Sequence, residues 1–223
     1  MGCGLRPRVL RSERVRTNAI VVVKAASRGK RRLASVLDSR ARKLLVETML
    51  GRVVAAVQGA RAFAELSILT NDESLVPENA EWIPDADGGV NSTLAAAAVQ
   101  LARRGVEAIL VLPADIPLVT SRDLDAMAEL AAAGTLIVAP DALHSGTNAL
   151  LLAPPTLLRP RFGAGSLLLH LQAARERGVA ARLHHNPNLS RDIDEPGDLA
   201  WLLDHCGDAC YDFARNRAEA LGK

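Results

Sequence analysis

The chain has 223 residues, 49% of them apolar and 23% charged, with a formal net charge of +2, enough to bury one continuous core and too balanced to demand a nucleic acid or membrane surface as partner. Its three cysteines, Cys3, Cys206 and Cys210, make no disulfide framework and point to a reducing compartment, the cytoplasm. No apolar run approaches the roughly 18 residues that cross a bilayer. The arginine-rich start lacks the apolar stretch of a secretory signal, and Arg6 stands where a myristoylation motif needs Ser or Thr.

Residues 1–17 carry Arg6, Arg8, Arg11, Arg14 and Arg16 without apolar periodicity and read as a disordered basic tail. From Ala19 onward, short apolar runs alternate with amphipathic stretches, the pattern of a sheet wrapped by crossover helices. Strands are predicted at 19–23, 64–70, 108–112, 135–139, 149–153 and 180–183. Helices are predicted at 40–57, 91–103, 121–132, 166–177 and 196–204, the third begun by a Ser121 cap. The helix at 40–57 is marked by Leu44, Leu45, Met49, Val53, Val54 and Val57 on one stripe. No internal repeat or flexible linker divides the chain, so 18–205 reads as one domain and 206–223 as a C-terminal extension.

In open α/β sheets, ligands sit beyond the carboxyl ends of the strands, and four segments fall there. Lys24 to Leu33 holds five cations and one glycine, suited to phosphates, although it is not a Walker motif and solvated basic loops are common. Asp115 follows the run Ile109-Leu110-Val111-Leu112-Pro113-Ala114. A carboxylate among apolar neighbours is costly unless it meets a metal, a cation or several donors. Asp192 and Asp194 stand two apart before a helix, a pair suited to a hard cation such as magnesium, with Asp194 as cap of that helix the competing explanation. His144 to Asn148 and Phe162 to Ser166 are glycine-bearing turns, the second opening a helix whose amino end favours anions. Asn91, after Asp87-Gly88-Gly89-Val90, can read a base or ribose through its amide or simply cap a helix. His184-His185 and His205-Cys206 to Cys210 lack zinc spacing. Neither a nucleophile elbow nor a dinucleotide-binding fingerprint is present.

The combination resembles the guanylyltransferases that make the activated phospho-acid precursor of coenzyme F-420, over roughly residues 18 to 204. The resemblance rests on Val23-Lys24 with Lys30-Arg31-Arg32-Leu33-Ala34, Leu112-Pro113-Ala114-Asp115-Ile116-Pro117, Gly146-Thr147-Asn148-Ala149-Leu150, Phe162-Gly163-Ala164-Gly165-Ser166 with His170, and Asp192-Ile193-Asp194-Glu195-Pro196-Gly197-Asp198-Leu199. Val22 and Ala25 replace prolines frequent around the first lysine, and Arg31 stands where Ser or Thr is common.

The resemblance implies a three-layer α/β/α, Rossmann-like and glycosyltransferase-A-like fold with a mixed, mostly parallel sheet. It implies that GTP donates GMP to 2-phospho-L-lactate, phosphoenolpyruvate or 3-phosphoglycerate. By position, Asp115, Asp192 and Asp194 would bind magnesium, Thr147, Gly163 and Ser166 would hold the acid's phosphate and carboxylate, and Lys24 and Lys30 would face the GTP phosphates or the acid; Arg32 and Asn91 are further expected nucleotide contacts. Asp115, Lys24 and Lys30 would carry the catalysis. Pairing into a homodimer and handover of the unstable product to the next enzyme are further expectations. The rival readings are another nucleotidyltransferase of the same fold, acting on a molybdenum cofactor or sugar phosphate, and a nucleotide-binding regulatory module without chemistry. A nucleic-acid-binding protein using its arginine tail is a third.

Overall fold

The computed structural model describes residues 16–24, 30–85, 88–207 and 211–215. Seven strands form one sheet in the order β3-β2-β1-β4-β6-β5-β7. They are β1 (Thr17–Val22), β2 (Glu65–Thr70), β3 (Glu81–Pro84), β4 (Ala108–Pro113), β5 (Thr135–Pro140), β6 (Thr147–Ala153) and β7 (Ala180–Leu183). β1 pairs in parallel with β2 and β4, β2 with β3, and β5 with β7. Only β6 runs against its neighbours, β4 and β5. The helices are α1 (Ser39–Gly59), α2 (Val90–Arg103), α3 (Ser121–Glu129), α4 (Ser166–Glu176), α5 (Pro187–Ser190) and α6 (Pro196–His205).

Both faces of the sheet are covered, which explains the nearly continuous apolar runs of its central strands. Along β1 and β4 the side chains alternate: Ala19, Val21, Leu110 and Leu112 pack with Val46, Leu50 and Val53 of α1 and with Leu124 and Met127 of α3. Ile20, Ile109 and Val111 pack with Leu94 and Leu101 of α2 and Leu167 of α4. Each such fully buried aliphatic side chain contributes about 1.5–3 kcal/mol. A third apolar cluster joins Leu33, Leu37, Leu45 and Met49 to Leu199 and Leu202 of α6 and continues into Cys206, Tyr211 and Ala214. These last three are buried. The extension expected from 206 onward is therefore, where described, part of the core.

The strand boundary at the other end also moves. Thr17 already pairs with Ala108, and Arg16 donates to Glu65 and to the Arg104 carbonyl. Only residues 1–15 of the expected tail lie outside the described residues. β3 escapes sequence reading because it is a four-residue edge strand whose residues are largely exposed and which ends in Pro84. α5 is a single turn opened by Asn186 and Pro187. Thr120, not Ser121, caps α3. Its hydroxyl accepts from the Asp123 amide at 3.3 Å while Asp123 Oδ2 accepts from the Thr120 amide at 2.9 Å. Asp123 also accepts from the side chains of Asn186 and Asn188 at 2.7 and 3.0 Å, tying α5 to α3. Thr120→Ala is expected to lower the unfolding free energy by about 1 kcal/mol in urea titrations. The Ser121→Ala change should fall within about 0.5 kcal/mol of the wild type, as for a surface residue outside the cap.

Candidate active site

The carboxyl end of β4 sets the geometry. Pro113 is the last paired residue, aligned with Val22 of β1, and the next amide, Ala114 N–H, donates to the Val22 carbonyl at 2.9 Å. Asp115 then leaves the sheet edge, and its carbonyl accepts from Ile193 N–H at 3.0 Å. That bond lays residues 192–194 across the end of the sheet. Ile193 is fully buried, which fixes the segment and leaves Asp192 and Asp194 on either side of it. Glu195 is the N-cap of α6, in a reciprocal box with Asp198, and Pro196 starts the helix. Asp194 is thereby released from the capping role that the sequence allowed it.

Lys30 closes the site. Its ammonium lies 2.6 Å from Asp115 Oδ2 and 2.7 Å from Asp194 Oδ1, and its side chain is only 7% exposed. Lys30 has φ 54°, a left-handed conformation that is costly for a residue with a side chain and that clusters at functional sites. Burial pulls its ammonium down, yet Asp115 and Asp194 outweigh burial and leave it above the usual lysine range. Burial pushes Asp194 up, but Lys30 first, then Arg32 and Lys24, hold it below the ordinary carboxylate range. Asp192 goes the other way: burial and the charges of Asp115 and Asp194 raise it, with Lys30 only partly compensating.

No three acidic, histidine or cysteine side chains converge as a ready ligand set among the described residues. Asp115 and Asp194 close on an ammonium instead, while Asp115 Oδ1 is buried without a hydrogen-bond partner. Magnesium commonly takes one or two carboxylates and completes its shell with water and substrate phosphates, so this donor set fits it without an all-protein cage. Lys24 is exposed at the end of β1, and its charge acts on Asp194. Arg32 is exposed and pairs with Glu195 at 3.0 Å. The remainder of the basic loop, 25–29, lies outside the described residues.

A second group stands at the start of β6, which its antiparallel pairing places at the same sheet edge as the end of β4. Thr147 Oγ1 is 3.0 Å from His170 Nδ1, and the Arg161 amide donates to His170 Nε2 at 2.9 Å. Because Nε2 accepts, the neutral ring carries its proton on Nδ1 and donates it to Thr147. The Thr147 hydroxyl proton is thus free to point at a ligand. Burial, with the Arg161 charge, pushes His170 down to about 4. Gly163 (φ 127°) and Gly165 (φ 68°) bend the chain into α4, where Ser166 is the first, buried residue. The Leu167 amide donates to the Ser145 carbonyl at 3.2 Å, stitching the two turns together. A Cβ on Gly146 would meet Asp141 Oδ2 at 2.7 Å, so a side chain there would displace the carboxylate that accepts from the Ser145 amide.

The structure therefore gathers Lys30, Asp115, Asp192 and Asp194 around one charge centre and Thr147, Gly163 and Ser166 around one turn. Asn91 serves another purpose. Its amide nitrogen donates to the Phe162 carbonyl at 2.9 Å and its oxygen accepts the Phe162 amide at 2.7 Å, so it clamps the Gly163 turn to α2. Gly89, not Asn91, is the cap of that helix. Asn148, buried with Nδ2 unpartnered, is a site candidate to which sequence reasoning assigned no role, although an asparagine is an unusual choice inside a buried strand. His185 stacks on His144 at 5.1 Å and His205 on Trp201 at 4.4 Å.

A family model described as "Guanylyl transferase CofC like" matches residues 17–218. The chain belongs to the CofC-like guanylyl transferases. It is 40% identical over 189 residues to the phosphoenolpyruvate guanylyltransferase of Rubrobacter xylanophilus, covering 82% of this chain and 92% of that one. It is 33% identical over 193 residues to the enzyme of the same name from Sphaerobacter thermophilus, covering 85% and 93%. Among solved structures, a protein from Desulfovibrio desulfuricans G20 provisionally assigned as a nucleotide-diphospho-sugar transferase superposes with a TM-score of 0.74 at 13% identity, covering 92% of this chain and 96% of that one. A 4-diphosphocytidyl-2C-methyl-D-erythritol synthase superposes with a TM-score of 0.59 at 16% identity, covering 88% and 100%. The three-layer, mostly parallel fold is thus that of the nucleotide-diphospho-sugar transferases, and the chain is a nucleotidyltransferase. No helix among the described residues is long and apolar enough to cross a membrane.

The depressed His170 makes a pH prediction. The unfolded ring, near 6.5, binds a proton that the folded ring refuses until about pH 4, so stability falls as pH drops through that window. The loss is about 3 kcal/mol in all. Denaturant titrations at pH 7 and pH 4 should show that limb in the wild type and a flatter one in His170→Asn.

Proposed function

We propose that this CofC-like transferase moves GMP from GTP to a small phosphorylated carboxylic acid, with phosphoenolpyruvate as the acceptor, in coenzyme F-420 biosynthesis. The observation that carries the reading is the Lys30 ammonium shared by Asp115 and Asp194 at the carboxyl edge of the sheet, a carboxylate centre short of positive charge where a cation and two phosphate groups can meet. The names of the relatives from Rubrobacter and Sphaerobacter favour phosphoenolpyruvate over 2-phospho-L-lactate and 3-phosphoglycerate.

In this reading an oxygen of the acid's phosphate attacks the α-phosphorus of GTP in line. One phosphorus–oxygen bond forms, the bond to the bridging β-phosphate oxygen breaks, and pyrophosphate carries away the electron pair. A phosphate monoester is largely doubly ionised at neutral pH, its second ionisation lying near pH 6, so the attacking oxygen needs no general base. Lys24 and Lys30 neutralise the charge that accumulates on the leaving pyrophosphate, and Thr147, Gly163 and Ser166 hold the acid's phosphate and carboxylate. Asp115 and Asp194 would hold magnesium, with the charge of Asp192 beside them, and the ion would supply charge neutralisation between the two anions. Dependence on GTP as donor suits a cytoplasmic enzyme.

Pyrophosphate release, with the product weighed by mass spectrometry, tests the reading. Purified protein with GTP and magnesium is expected to form the guanylyl diphosphodiester of phosphoenolpyruvate, and Asp115→Asn should lower kcat by at least about 100-fold. Product with 2-phospho-L-lactate or 3-phosphoglycerate alone would replace the acceptor, and no product with any of the three would remove the reading.

A further inference from the structure

A cavity of about 420 Å³ lies among Val57, Phe63, Glu65, Glu81 and Arg104, where β2 and β3 begin, far along the sheet from the charge centre. Its charges pair with one another, Arg104 with Glu81 at 2.7 Å and Arg16 with Glu65 at 2.6 Å, leaving only Glu65 Oε2 without a hydrogen bond among the described residues, and the open-sheet rule gives the cavity no preference. A smaller cavity, about 200 Å³, opens at the opposite end, where β1, β2 and β3 finish and α2 starts. Val22, Leu69 and Val90 form apolar walls, and Lys24, Asn71 and Asp85 supply the polar groups.

Three observations say what fits there. Pockets for whole drug-sized ligands run to about 300–1,000 Å³, so this volume suits a single heterocycle rather than a nucleoside triphosphate. Lys24 lines the cavity and its charge also acts on Asp194, so a ligand with its ring in the cavity can extend its phosphates toward the carboxylate centre. Asp85 is held in place, its amide donating to the Thr70 carbonyl at 3.0 Å and its Oδ1 accepting from the Thr93 hydroxyl at 3.3 Å, while Oδ2 has no hydrogen-bond partner among the described residues.

An ionised carboxylate accepts and cannot donate. Among the common bases only guanine presents two adjacent donors, N1–H and the 2-amino group, to a carboxylate. Adenine opposes it with the N1 lone pair, and cytosine and uracil set a single donor beside acceptors. Asn91, the base reader that the sequence nominated, spends its amide on Phe162. We propose that Asp85 reads the guanine of the donor nucleotide by accepting N1–H and the 2-amino group, while Val22, Leu69 and Val90 pack on the ring and Asn71 borders its polar edge. The inference rests on the reading of GTP as donor and adds the group that selects it.

The chemistry supplies a test that a merely structural role would not pass. Asp85→Asn is nearly isosteric and turns an acceptor pair into one acceptor and one donor, which matches xanthine, with its N1–H and 2-carbonyl. Equilibrium titrations of the whole chain with GTP, XTP and ATP in the presence of magnesium report binding without requiring turnover. The wild type should prefer GTP, and Asp85→Asn should weaken GTP by about 100-fold and tighten XTP by about tenfold. Unchanged GTP binding in the variant, or loss of all nucleotides with no gain for XTP, overturns the inference. Should Asp85→Asn not fold, Asp85→Ala serves: it should erase the preference for GTP over ATP, and a preserved preference overturns the inference. A wild type that binds GTP no tighter than ATP overturns it too, and pyrophosphate release with each nucleotide then shows whether nucleotidyl transfer survives with another donor. Failure with all three acids, by contrast, would leave the guanine titrations standing.

Discussion

A single ammonium, that of Lys30, joins two carboxylates that stand 85 and 164 residues away in the chain. Everything at the working edge of the sheet is arranged to make that meeting unavoidable. The parallel pairing of β1 with β4 sets the end of β1, from which the Lys24–Leu33 segment departs, beside Asp115, and the amide of Ile193 on the Asp115 carbonyl brings Asp194 in from the far end of the chain. Removing the lysine would leave Asp115 with neither oxygen paired to a cation, in a place where water cannot fully compensate.

The two aspartates on either side of Ile193 are driven in opposite directions. Asp194 is held ionised by Lys30 despite its burial, whereas Asp192 is pushed toward its neutral form by burial and by the charges of Asp115 and Asp194. One lysine is therefore not enough positive charge for the three carboxylates. A site that is under-compensated at rest gains most when a cation and a polyanion arrive together, which is the requirement of a reaction that presses two phosphates against each other. The Thr147 turn is built in the contrasting manner. It is neutral, held by an uncharged His170 and by the Asn91 clamp on Phe162, and it offers hydroxyl and amide donors to an anion without titrating at neutral pH.

Much of the scaffold was legible because burial on both sheet faces writes itself as short apolar runs, and Asp115 stood out because a carboxylate after such a run demands a partner. The partner's identity was not legible. Nothing local marks Lys30 among five cations of one loop, since its role is set by contacts across the whole chain. The choice between Thr120 and Ser121 as cap hung on Asp123 lying three residues after the threonine, a capping-box spacing that was present in the sequence and outweighed by the serine. Asn91 misled for a physical reason: an amide near a glycine turn suits a base and a backbone equally, and only the fold brings Phe162 to it. Asp85 was invisible because it follows an exposed edge strand that no periodicity announces.

In the proposed reading this edge takes a metal and a nucleotide, and the Lys30 ammonium on Asp115 and Asp194 supplies positive charge that the metal would take over. A crystal structure with GTP and manganese, using anomalous scattering to locate the metal, tests it most directly. The expected result is an anomalous peak in contact with Asp115 and Asp194, with the Lys30 ammonium moved onto the nucleotide phosphates. A Lys30 still bridging the two aspartates, with GTP bound elsewhere and no metal between them, would contradict it.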